Sequence, residues 1–83
     1  MHEETYATLF KAGDETALSY IYSRYYQPLL HHGKKIVDDE FMVSCMLQEA
    51  FLKGWQFRHI MENQRHIYCF IRLNLTWQCY HYL

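Results

Sequence analysis

Two groups of side chains in this sequence have the makeup of recognition surfaces. In FMVSCMLQEAFLKGW, positions 41–55, a helical spacing of 100° per residue gathers Val43, Met46, Leu47, Ala50 and Gly54 on one side. The other side gathers Phe41, Cys45, Gln48, Glu49, Leu52 and Gln56. A solvated helix turns charge outward, whereas this face offers amides, one carboxylate and apolar surface, which suits contact with another protein. Further on, FRHIMENQR at 57–65 loses the periodicity and collects Arg58, His59, Asn63, Gln64 and Arg65, the composition of a functional loop. The chemistry of an enzyme is missing. There is no Gly-rich phosphate loop and no nucleophile placed beside a base, and the carboxylates cluster where helix starts account for them. Cys45, Cys69 and Cys79 are odd in number and have no CxxC spacing, so reduced, structural thiols are expected. His66 and Cys69 lie one helical turn apart, but with no second pair beside them no metal site is predicted, and no cofactor is implied.

The elements that position these groups must come from a short chain. Its 83 residues make one domain, 1–83, able to bury roughly 60–65% of its unfolded surface. At 51% hydrophobic and 18% aromatic, it carries more aromatic surface than so small a core can hide. Some aromatics must be exposed, which predicts self-association of the isolated domain at high concentration. No run approaches the roughly 20 apolar residues of a membrane span, and MHEETYATLF lacks the basic start and apolar run of a signal peptide, so a cytoplasmic protein without membrane contact is expected. The net charge of −1 conceals a division. Residues 1–52 hold four basic side chains against eight acidic ones, whereas residues 53–83 hold Lys53, Arg58, Arg65 and Arg72 against Glu62 alone.

Taken in order, a first helix is expected over Glu3 to Lys11, closed by Gly13, with Asp14 capping the next. Leu18, Ile21, Tyr22, Tyr25, Leu29, His32 and Ile36 then recur at spacings of three and four, predicting a long helix that Pro28 bends and that stops near Val37. His32 on this stripe reads as a satisfied core histidine. Asp38 or Asp39 should cap the helix that ends near Gln56. A last helix is expected from His66 to Leu83, apolar nearly all round and with no terminator, which suggests a domain cut from a longer protein or one that lost its continuation. The expected fold is all-α, a compact bundle of three to four helices with a long kinked second helix.

Three stretches in this order carry a resemblance. QEAFLKGW at 48–55 looks like the QEVFLKLW-type core of region two in extracytoplasmic-function (ECF) sigma factors of the sigma-70 family. GDETALSYIYSRYYQPLL at 13–30 is similar to that family's opening pattern, and ENQRHIYCFIRLNLTWQCYHYL at 62–83 resembles the form seen in Bacteroidetes-type members. The likeness covers nearly the whole chain, and nothing resembling region four follows. It implies a transcription-initiation domain whose 41–56 helix docks on the β′ clamp of core RNA polymerase. Its loop and last helix would recognise and melt the minus-ten promoter element. Carried over by position, Gln48 and Glu49, with Cys45 and Leu52 beside them, would contact polymerase. Lys53, Arg58, His59, Asn63, Gln64, Arg65 and Arg72 would contact promoter DNA. The sequence leaves open whether an anti-sigma factor is a further partner.

The chain departs from the family at two places. Val43, Ser44 and Cys45 stand where the family has Ala-Glu-Asp, and Thr76 and Trp77 stand where it has Arg-Asn. Each missing charge-assisted hydrogen bond is worth roughly 1.5–3 kcal/mol, so both contacts are expected to be weaker here. Two alternatives follow, a degenerate sigma-like domain acting only in protein–protein interaction and an unrelated helical interaction domain.

Overall fold

The computed structural model describes residues 3–83. Its helices are α1 (Glu3–Lys11), α2 (Glu15–Lys34), α3 (Glu40–Gln56) and α4 (Gln64–Tyr82), with a 3₁₀ turn at Arg58–Ile60 between the last two. No strand occurs among the described residues, so the fold is an all-α bundle.

Local chemistry sets the boundaries. Gly13 takes φ +89°, the left-handed conformation that glycine adopts without a Cβ penalty. Its amide donates to the Phe10 carbonyl at 3.0 Å and that of Asp14 donates to Leu9 at 2.9 Å, which closes α1 in a Schellman motif. Asp14 then caps α2, its Oδ1 accepting from the amides of Thr16 at 2.8 Å and Ala17 at 3.1 Å. The helix continues past Pro28, whose ring lies on the exposed side. Proline here withdraws one donor and leaves the rest of the ladder in place.

Two expected ends shift. α2 stops at Lys34 rather than near Val37, because the amides of Lys35 and Ile36 fold back on the carbonyls of His32 and Gly33 at 3.3 and 3.0 Å, tightening the last turn. Val37 is nevertheless buried, so its apolar character extends the stripe beyond the helix that made it. α4 begins at Gln64 rather than His66, because Asn63 accepts from the His66 amide at 2.8 Å and is therefore the N-cap.

The bundle places α2 and α4 parallel, with Tyr25 meeting Tyr68 and His32 meeting Thr76 further along. α3 runs antiparallel to α2, so that Gly33 meets Val43 at one end and Tyr22 meets Phe51 at the other. Phe10, Ile21, Leu47, Ile67, Ile71 and Leu75 are sealed between them. At Gly33 the helices approach so closely that an added Cβ would lie 2.5 Å from Val43 Cγ1. Gly33→Ala gains roughly 1 kcal/mol of helix propensity but overpacks by about 1–3 kcal/mol. The expected net result is a melting temperature about 5–10 °C lower by circular dichroism. A rise would mean that the crossing can relax.

Candidate functional site

The outward face of α3 is assembled as its spacing requires. Phe41 and Leu52 are 75% and 56% exposed, and Cys45, Gln48, Glu49 and Gln56 are exposed with them. Val43, Met46, Leu47, Ala50 and Gly54 are buried on the opposite side. Ser44 turns its hydroxyl back to the Phe41 carbonyl at 2.8 Å, so that position presents neither charge nor a free donor. Beside the face lies a groove of about 490 Å³ between α2 and α3. Leu18, Ser19, Tyr22, Ser23, Gln48, Phe51, Leu52 and Trp55 line it, with the Tyr22 and Phe51 ring centroids 4.7 Å apart. This groove had no simple sequence signal, because Tyr22 and Phe51 belong to different helices and each reads as core.

The loop that follows is more constrained than its composition suggests. Arg58 is half-buried, its guanidinium 4.6 Å above the Trp55 ring and its Nη1 donating to the Trp55 carbonyl at 2.9 Å. The same group packs over Gly13, whose hypothetical Cβ would lie 3.4 Å from Nε. Arg58 thus clamps the α1–α2 joint to the end of α3. Arg58→Ala should cost about 1–2 kcal/mol in urea unfolding through loss of the cation–π contact and the charged hydrogen bond. Arg58→Lys should recover only part of this, because an ammonium lacks the planar fork. An unchanged midpoint in Arg58→Ala would return Arg58 to the free surface.

Gln64 is likewise not a loop residue. It occupies the first position of α4 and is only 3% exposed, its Nε2 donating to the Tyr25 hydroxyl at 2.8 Å. It belongs to the inward register Gln64, Ile67, Ile71, Leu75, and that spacing of three and four is the signal that places it. Its Oε1 is buried without a partner among the described residues. Asn63 is exposed at the cap, and His66 accepts the Glu62 amide on Nδ1 at 3.1 Å. His59 and Arg65 are exposed and Lys53 is half-exposed.

A basic side does form, along α4 and the end of α2. Arg65 and Arg72 are both exposed and, seven residues apart, share one face about 10 Å apart along the axis. Lys35 joins them from the end of α2, a residue that sequence reasoning left out because its helix partner could not be foreseen. Between them His32 Nε2 and Thr76 Oγ1 lie 2.8 Å apart, and the Thr76 hydroxyl donates to the Arg72 carbonyl at 2.7 Å. With the threonine proton so committed, His32 Nε2–H must be the donor to Thr76. Burial first, then the charges of Arg72 and Lys35, push the His32 pKa down. The imidazole is therefore neutral at pH 7, and the cations around it are what this side presents.

Cys45 and Cys69 are exposed free thiols and Cys79 is buried, its Sγ 3.8 Å from Met46 Sδ. No cluster of three His, Cys, Asp or Glu side chains suited to a metal occurs among the described residues. No helix among the described residues is long and apolar enough to cross a membrane. Comparison of the chain with family models, with curated proteins and with solved structures finds no match.

Proposed function

We propose that this chain is a sigma region-two-like domain that docks on the β′ clamp of core RNA polymerase through α3 and contacts minus-ten promoter DNA along α4. The observation that carries the docking half is the shared exposure of Phe41, Cys45, Gln48, Glu49 and Leu52 on one helix face beside an apolar groove. The DNA half rests on Arg65, Arg72 and Lys35 on a single side, with His59 and Asn63 at the loop and Lys53 in the last turn of α3. The test is a fluorescence-anisotropy titration of single-stranded minus-ten DNA. Binding should weaken with salt, and Arg65→Ala and Arg72→Ala should each reduce the slope of log K against log salt by about 0.7.

A second reading, a sigma-like fold that acts only between proteins, is favoured by one specific arrangement. Arg58 and Gln64, which should have met an unpaired base, are engaged inside the domain by Trp55 and Tyr25. A flat DNA titration at low salt, together with intact polymerase binding, would select this reading over the first.

A further inference from the structure

The imidazole that joins α2 to α4 sits between two cations. His32 is half-buried and is held through Nε2 to Thr76 Oγ1 at 2.8 Å. Lys35 follows His32 by one turn at the end of α2, and Arg72 precedes Thr76 by one turn on α4, so the two flank this bridge. They are the charged groups that act on the imidazole, Arg72 from α4 and Lys35 from α2. Among the described residues Lys34 pairs with Glu40 at 2.9 Å, whereas neither Arg72 nor Lys35 has a carboxylate partner. Residues 16–37 and 64–82 contain no Asp or Glu. Two unbalanced cations beside a neutral imidazole leave a seat for an anion. Resting on the DNA reading above, we infer that Arg72, Lys35 and His32 together seat one backbone phosphate of minus-ten DNA, and that the imidazole takes up a proton from solvent as the phosphate arrives.

Without DNA, His32 stays neutral at pH 7, because burial and then the charges of Arg72 and Lys35 disfavour a third cation. A phosphate on those two side chains offsets their field and adds its own, which favours the imidazolium. The last turn of α2, where His32 lies, favours it as well, since the carbonyl end of a helix is negative. Nε2–H already donates to Thr76, so the arriving proton goes to Nδ1 and the bridge stays intact. Because the bound state holds one proton more than the free state, affinity rises as pH falls, by at most about tenfold per pH unit.

Anisotropy titrations of a single-stranded minus-ten oligonucleotide at fixed salt, from about pH 7.5 to 5.5, span the ordinary histidine range and test this. Across it the wild-type chain should gain about 3–10-fold more affinity than His32→Gln, whose amide keeps a donor for Thr76 and takes up no proton. The other histidines are common to both chains and cancel in the comparison. An NMR titration of the His32 ring in the wild-type chain, free and saturated with the oligonucleotide, needs no variant and decides alone if circular dichroism finds His32→Gln unfolded. Its midpoint should move up on binding. Equal pH dependence in two folded chains, or a midpoint that stays in place, would overturn the seat and leave the DNA reading standing. A flat anisotropy titration at every pH would overturn both.

Discussion

With Gln48 and Glu49 both replaced by alanine, the chain is expected to lose co-purification with β′ if the proposed docking holds, while its thermal unfolding should stay unchanged. Both side chains are exposed on α3, so their loss leaves no cavity. On the proposed docking, the double variant would lose an amide hydrogen bond and a charge-assisted one, together about 2–4 kcal/mol, or on the order of 100-fold in affinity. The effect should be large here because Ser44 and Cys45 supply no carboxylates to share the load, and the Ser44 hydroxyl donates to the Phe41 carbonyl. Leu52→Ala should weaken capture by less, since it removes apolar area without leaving a polar partner unpaired. Undiminished capture by the double variant would remove α3 as the docking element.

Phe10→Ala should be the most damaging single change in the domain. Phe10 is fully buried and its ring meets Trp55 edge to face at a centroid distance of 5.1 Å. Truncation of a buried aromatic costs about 3–5 kcal/mol, a large share of the roughly 4–12 kcal/mol available to a domain of this size. The melting temperature should fall by about 15–30 °C. Trp55 emission should shift to the red as α1 lifts away and water reaches the indole, whereas Trp77, already 61% exposed, should change little. A variant that melts within about 5 °C of the parent would mean that α1 contributes little to holding the bundle together.

The parts of this architecture that depend on neighbours within one helix were legible before the fold was known. Spacing along α3 separated Val43, Met46, Leu47, Ala50 and Gly54 from Cys45, Gln48, Glu49 and Leu52, and every one of these lies on its expected side. The cap at Asp14 followed from residue type, and for α3 residue type narrowed the cap to Asp38 or Asp39, of which Asp39 holds the position. Parallel pairing of α2 with α4 could not be read, because it depends on contacts 39 and 44 residues apart, Gln64 to Tyr25 and Thr76 to His32. The same limit misplaced Arg58 and Gln64. A charged or amide side chain after a helix has the same letter whether it faces solvent or clamps an indole, and only the approach of Trp55 and Tyr25 decides between them.

The joint at Gly13 and Asp14 constrains how the chain could vary in length. Between α1 and α2 no residue is spare, since Gly13 supplies the reversal and Asp14 both completes the closure of one helix and opens the next. An inserted residue there would separate these tasks and rotate α1 out of register with the surface it covers. The turn at 35–39 is different, because its two tasks fall on different residues: Lys35 and Ile36 end α2, while Asp39 starts α3. Among descendants of this sequence, insertions should accumulate at the second turn and be purged from the first.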